Sequence, residues 1–170
     1  MARIVVLNGT SSSGKTSVAR AFQECAPGVF LNLSIDTILY ALPPGVLERM
    51  KRGEERAGPE LVRAFYACVR ELAALGLDLV IDHAVTSQEE AELLAAAVHS
   101  HRTLFVGLDC PVDVLAERER QRGDRRPGMA AAQCERVHRW LAYDLRIDTS
   151  AIDPEEAARQ IVAALESAAP

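Results

Sequence analysis

The chain has 170 residues, of which 49% are hydrophobic and 25% charged, the balance of an ordinary globular protein rather than of a disordered one. That length predicts one compact domain over 1–170 with a real core, and the net charge of −5 provides no global positive field for a nucleic-acid backbone or an anionic membrane. Nucleic acid and membrane are therefore not expected among its partners.

Arginine carries nearly all the positive charge, because only Lys15 and Lys51 are lysines. The four-residue apolar run Ile4–Leu7 is too short for a signal peptide, and no run approaches the ~20 residues that cross a bilayer, so a cytoplasmic protein is expected. Cys25, Cys68, Cys110 and Cys134 are far apart in sequence, with no zinc-ligand spacing. They read as reduced, mostly buried small side chains.

In chain order, Arg3–Leu7 is a β-branched strand ending at Asn8-Gly9, and from Gly14 the apolar spacing turns helical at Val18, Ala19 and Phe22. Val29–Ile35, Leu77–Ile81, Thr103–Leu108 and Leu145–Ile147 are four further strands. Helical patterns fall at about 59–75, 87–99, 111–122, 130–142 and 153–168. Leu42–Gly58, rich in Pro, Gly and charge, and Gly123–Gly128 read as irregular. Short buried strands alternating with helices predict an α/β fold with a parallel sheet covered on both faces, its ligands at the carboxyl ends of the strands.

Gly9-Thr10-Ser11-Ser12-Ser13-Gly14-Lys15-Thr16 matches G-x-x-x-x-G-K-[ST] between a predicted strand and a predicted helix. Glycines let successive backbone N–H groups face phosphate oxygens, and the helix N-terminus adds partial positive charge. The expected nucleotide contacts are Gly9, Ser11, Ser12, Ser13, Gly14, Lys15, Thr16 and Ser17. Lys15 is expected on the β- and γ-phosphates and Thr16 on Mg²⁺.

Asp36 follows the second strand, at the edge where an acceptor hydroxyl would sit. It could orient that hydroxyl and accept its proton, or cap a helix starting at Thr37. Asp82 closes Leu79-Val80-Ile81 and has the form of a carboxylate that holds Mg²⁺ or lies against substrate; plain turn chemistry is the alternative. His83 beside it is a candidate substrate contact or a hydrogen-bonding residue of the core or surface.

Five arginines crowd Arg118–Gly128, with Arg118 and Arg122 one helical turn apart and Arg125 beyond the helix end. Guanidinium groups suit phosphate oxygens, so 118–130 reads as a mobile lid that excludes water, with a solvated helix face as the alternative.

With these residues in hand, the chain resembles the chloramphenicol phosphotransferase family of P-loop kinases. The shared elements are Leu7-Asn8-Gly9 leading into Ser11–Lys15, Asp36, Val80-Ile81-Asp82, Arg118-Glu119, Arg122–Arg125, Gly128–Ala131, Val137-His138, Tyr143-Asp144 and Asp148-Thr149. The resemblance implies a three-layer P-loop kinase sandwich around a five-stranded parallel sheet, and transfer of the ATP γ-phosphate to a hydroxyl of chloramphenicol, an antibiotic. It further implies that Asp36 is the general base, that Arg118, Arg122 and Arg125 are lid arginines, and that Asp148 and Thr149 lie on the adenine side. ATP and Mg²⁺ are the implied cofactors and a small hydroxylated molecule the implied acceptor.

Two departures stand out. His83 occupies the place of a second acidic residue after Asp82, and Leu42–Gly58 is short and charged, with Arg49, Lys51, Arg52 and Arg56 among Glu48, Glu54 and Glu55. The second departure keeps open a metabolite or nucleotide kinase of the shikimate- or adenylate-kinase type, whose anionic acceptor would use those cations. A nucleotide-binding switch is a further alternative, with Gln88 its candidate water-positioning residue.

Overall fold

A computed structural model describes residues 1–55, 58–122 and 128–167. Its elements in chain order are β1 (Arg3–Gly9), α1 (Lys15–Cys25), β2 (Phe30–Ser34), α2 (Ile35–Leu39), α3 (Pro44–Lys51), α4 (Pro59–Ala74), β3 (Asp78–Asp82), α5 (Gln88–Val98), β4 (Arg102–Asp109), α6 (Val112–Arg122), α7 (Met129–Cys134), β5 (Leu145–Asp148) and α8 (Pro154–Ser167).

The five strands form one parallel sheet in the order β2-β3-β1-β4-β5, with β1 at its centre. Alternation along the strands sorts the core into two layers. Val5 and Leu7 of β1, Val80 of β3 and Val106 of β4 pack with Phe22 of α1 and Ile161 of α8 on one face. Ile4 and Val6, with Leu79 and Ile81, pack against Phe65 and Val69 of α4 and Leu94 of α5 on the other. Both faces are covered, so the strands can be apolar throughout.

All strands end at one edge. Register places Asp82 beside both Leu7 and Ser34, and Asp109 beside Asp148, so the ends of β2 and β3, and those of β4 and β5, lie side by side. This edge carries the site.

Three expectations from sequence are corrected. Leu42–Gly58 contains a helix, α3, because Pro44 occupies its first turn, where the absent N–H costs nothing and the fixed φ suits the helix. The helix expected over 130–142 stops at Cys134, after which the chain continues in tighter turns (Arg136 N to Gln133 O 2.9 Å, Arg139 N to Arg136 O 3.1 Å) while the Val137 carbonyl is taken by Asn8. The cysteines are not mostly buried: Cys25 and Cys68 are exposed, and Cys110 and Cys134 half-buried. Among the described residues no helix is long and apolar enough to cross a membrane.

Candidate active site

Residues 10–14 form a tight loop between β1 and α1. A Cβ on Gly9 would lie 2.7 Å from the Leu108 carbonyl and 2.7 Å from Ser13 Oγ, so the loop seats on β4 only with glycine there. Gly14 (φ 89°) and Ser12 (φ 62°) both adopt the left-handed conformation, which turns consecutive amides toward one side. Gly14 is the N-cap of α1 and supplies no side-chain cap, leaving the first-turn amides facing the loop. The Ser12 and Ser13 hydroxyls are buried without a hydrogen-bond partner. An orphan buried hydroxyl costs about 1–3 kcal/mol, and a bound phosphate would satisfy that of Ser12, which lines the cavities beside the loop, whereas Ser13 Oγ lies against Gly9. The loop thus fits a nucleotide phosphate chain.

Lys15 Nζ donates to the Thr10 carbonyl at 2.7 Å, which folds the side chain back over the loop. Thr16 Oγ1 donates to Asp82 Oδ2 at 2.6 Å, joining the end of the phosphate loop to the end of β3. A hydroxyl and a carboxylate are the hard oxygen donors that Mg²⁺ takes beside phosphates, so this pair fits a magnesium site.

Asp36 sits in the first turn of α2, and the helix is capped by Ser34, whose Oγ accepts the Asp36 amide at 3.3 Å. The alternative that Asp36 caps a helix is therefore replaced. The cap lies two residues earlier, and the Asp36 carboxylate lines a cavity of about 310 Å³ together with Lys15, Thr16, Asp82 and His83.

His83 is buried between Phe65 and Tyr66, its ring centroid 5.2 and 5.7 Å from theirs. Burial pushes its pKa down to about 4; the Lys15 charge acts in the same direction and Asp36 opposes it. Neither ring nitrogen has a hydrogen-bond partner. Burial likewise raises the Tyr66 phenol, with the Glu90 charge adding to the effect.

On the far side of the loop a second cavity, of about 520 Å³, is lined by Ser12, Gly14, Ser17, Arg118, Thr149 and Asp153, among others. Arg118 belongs here rather than to the Asp36 cavity. Its guanidinium donates to the Thr149 carbonyl at 2.7 Å and to Thr149 Oγ1 at 3.3 Å. Thr149 Oγ1 in turn donates to the Ser13 carbonyl at 2.8 Å, which ties the β5 end to the phosphate loop. Asp148 is exposed and accepts from the Ser150 amide and hydroxyl, the hydroxyl being the main cause of its lowered carboxyl pKa. The side chain of Arg122 and the whole of Arg125 lie outside the described residues.

Among the residues not singled out from sequence, Glu90 and Gln133 also line the Asp36 cavity. Glu90 Oε2 accepts the Thr86 amide at 2.6 Å while the Ser87 hydroxyl accepts the Glu90 amide at 3.2 Å, a reciprocal cap that the Ser87-x-x-Glu90 spacing could have announced. Gln133 has no such signal. Gln88, the candidate of the switch alternative, is exposed and donates to Glu92.

Asn8, Val137, His138 and Tyr143, elements of the family resemblance outside the two cavities, form a structural knot. Asn8, fully buried, donates to the Val137 carbonyl and to Tyr143 Oη, each at 2.6 Å, and accepts the Val85 amide at 2.8 Å. His138 Nδ1 meets Tyr143 Oη at 2.7 Å, and Asp144 Oδ2 accepts the Phe105 amide at 2.8 Å.

Residues 2–166 match the model of the chloramphenicol phosphotransferase-like protein family. The chain belongs to that family. It is 29% identical over 180 aligned positions to a Mycobacterium tuberculosis (strain H37Rv) protein named "Putative O-phosphotransferase", with 94% of this chain and 80% of the relative covered. The family fold recurs in solved structures of low sequence identity. A sugar kinase from Janibacter sp. HTCC2649 superposes with a TM-score of 0.76 at 20% identity over 99% of this chain and 96% of its own. A gluconokinase from Sinorhizobium meliloti 1021 gives 0.72 at 23% over 96% and 91%. Shikimate kinase from Acinetobacter baumannii, in complex with shikimate, gives 0.64 at 18% over 98% and 94%. The family chain thus has the five-stranded parallel architecture of P-loop kinases.

Proposed function

We propose that the protein transfers the γ-phosphate of ATP, with Mg²⁺, to a hydroxyl of a small molecule bound in the Asp36 cavity. That it is a kinase acting on a hydroxyl group follows from its family; the nucleotide, the metal and the acceptor are our reading. The observation that carries it is the convergence of Lys15, Thr16, Asp82 and Asp36 on one cavity at the end of the phosphate loop.

In this reading the loop amides and Lys15 hold the phosphate chain, and the buried Ser12 hydroxyl completes the cradle. Thr16 and Asp82 would hold Mg²⁺, which when bound offsets charge on the phosphate oxygens. Asp36 orients the acceptor hydroxyl in line with the phosphorus and takes its proton as the new O–P bond forms and the bond to the departing ADP oxygen breaks. Arg118 braces Thr149 and the loop from the opposite cavity, which supports a nucleotide-side role for it together with Thr149.

An anionic acceptor held by the charged 42–58 segment is less well supported. Arg49 pairs with Glu55 at 2.8 Å and Arg52 with Glu54 at 2.7 Å on the exposed surface, and neither arginine lines the cavity.

Chloramphenicol, to which the family owes its name, is the first acceptor to try. The test is mass analysis of chloramphenicol and of a library of hydroxyl compounds after incubation with Mg-ATP. A product heavier by one phosphate, lost in Lys15→Ala and in Asp36→Asn, is expected. Phosphorylated product at the wild-type rate from Asp36→Asn would overturn the role of Asp36.

A further inference from the structure

The Asp36 cavity contains one group that the phosphate chemistry above leaves unused. His83 is only 7% exposed, and its ring stands against Phe65 and Tyr66. Both ring nitrogens are buried without a partner, although the ring borders the cavity. A buried imidazole carries one donor and one acceptor, and leaving each unmet costs about 1–3 kcal/mol. Such orphans are commonly met by a ligand or an ordered water. Asn8, in contrast, also lies at the strand edge and has every polar atom satisfied by the fold.

The charge of the same cavity restricts what can reach the ring. Among the described residues its charged lining is Lys15, Asp36, Asp82 and Glu90, with no arginine. Lys15 is folded over the phosphate loop onto Thr10. Among the described residues, a carboxylate or phosphate on the acceptor would therefore face Asp36 and Glu90 with no second cation to pair with. Glu90 is already held by the Thr86 amide, and the apolar side chains Ile35 and Val62 share the rest of the wall with the uncharged Ser34, Thr86 and Gln133. A hydroxyl can donate to the unprotonated ring nitrogen or accept from the protonated one, and so pairs with whichever nitrogen meets the acceptor.

We infer that His83 is a specificity residue that hydrogen-bonds a second hydroxyl of the acceptor, and that the acceptor is a compound without carboxylate or phosphate groups that carries at least two hydroxyls, one on Asp36 and one on His83. This rests on the phosphotransferase reading and narrows its substrate class. Selection arises because a compound lacking the second hydroxyl leaves the imidazole desolvated and unpaired, the asymmetry that lets a polar site reject a deoxy analogue strongly.

The experiment measures ADP formation with Mg-ATP on skeleton-matched sets, namely neutral diols (C3–C6 polyols and chloramphenicol), their monodeoxy forms, amino alcohols and hydroxy acids. Wild type, His83→Phe and His83→Gln are compared. Phe keeps the aromatic packing without either polar nitrogen, and Gln restores a donor and an acceptor. A nucleotide-induced rise in melting temperature verifies that each variant is folded. The expected result is a kcat/KM for the best diol at least tenfold above its deoxy, amino and acid counterparts. That preference should collapse in His83→Phe through loss of diol turnover and return in part in His83→Gln. An unchanged diol preference in folded His83→Phe, or a wild-type preference for hydroxy acids or amino alcohols, overturns the inference and leaves phosphotransfer standing. Nucleotide binding without turnover of any hydroxyl compound overturns both.

Discussion

The side-chain carbonyl of Gln133 accepts the backbone N–H of Ser11 at 2.6 Å, so an α7 residue occupies one amide of the phosphate loop. Gln133 is held there from a distance: buried Glu119 on α6 accepts the Gly128 amide at 2.7 Å and the Ala130 amide at 3.2 Å, fixing the start of α7. A nucleotide phosphate that uses the Ser11 amide must displace this contact. One hydrogen bond contributes about 0.5–1.5 kcal/mol net, so Gln133→Ala is expected to tighten binding of an ATP analogue about two- to tenfold. Titration calorimetry with AMP-PNP decides it. Weaker binding would mean that Gln133 helps hold the nucleotide rather than competing with it.

The Thr16–Asp82 hydrogen bond of 2.6 Å has a separate consequence. If the pair holds Mg²⁺, Asp82→Asn keeps the shape and a hydrogen-bonding oxygen but removes the negative charge that favours a divalent cation. The Mg²⁺ concentration for half-maximal activity should rise about tenfold or more, equivalent to at least about 1.4 kcal/mol. Saturating Mg²⁺ should recover part of the rate. An Mg²⁺ curve that coincides with wild type would assign Asp82 to the acceptor or to loop structure instead.

What the sequence revealed follows from how locally each feature is encoded. The phosphate loop was legible because its glycines, lysine and threonine are consecutive and sit between a strand and a helix pattern. The parallel sheet was legible because its strands are short apolar runs. Asp36 could be located but its local role could not, since the choice between cap and cavity residue depends on Ser34 taking the cap. The α3 helix was hidden by Pro43, Pro44 and Gly45, which resemble a loop unless the proline is placed in a first turn. Glu90, Gln133 and Arg118 were harder still. Which cavity each one lines is set by packing of α5, α7 and α6 around the edge, and no local pattern of charge records it.

Burial of His83 ties stability to pH. Its folded pKa of about 4 lies below the ordinary 6.5, so between those values the unfolded chain binds a proton that the folded chain does not. Stability is therefore unaffected by this group above about pH 6.5 and falls as pH drops toward 4. At about 1.4 kcal/mol per pH unit, the loss between pH 7.5 and 4.5 is about 2–3 kcal/mol. His83→Gln cannot titrate, and urea denaturation should give it a shallower acid limb by that amount. Parallel limbs for the two proteins would show that folding does not lower the His83 pKa.

Asn8 precedes the first glycine of the phosphate loop and is fully buried. Its amide bridges three segments, accepting from Val85 at 2.8 Å and donating to the Val137 carbonyl and to Tyr143 Oη at 2.6 Å each. Truncation to alanine strands a buried N–H and a buried carbonyl, each costing about 1–3 kcal/mol, and opens a small cavity as well. Asn8→Ala is thus expected to lose about 3–5 kcal/mol, lowering the melting temperature by roughly 10 °C at 2–4 °C per kcal/mol. Tyr143→Phe removes one partner and keeps the ring that packs over Gly107, where an added Cβ would lie 2.9 Å from the ring. It should lose less, about 1–3 kcal/mol, because one Asn8 N–H and His138 Nδ1 lose their partner while the other Asn8 bonds stay. The ratio of the two losses tests the arrangement, because equal losses would locate the energy in Tyr143 rather than in the Asn8 bridge. Since that bridge anchors the loop base to the segment following α7, Asn8→Ala should also weaken nucleotide binding, whereas Tyr143→Phe should leave it near wild type.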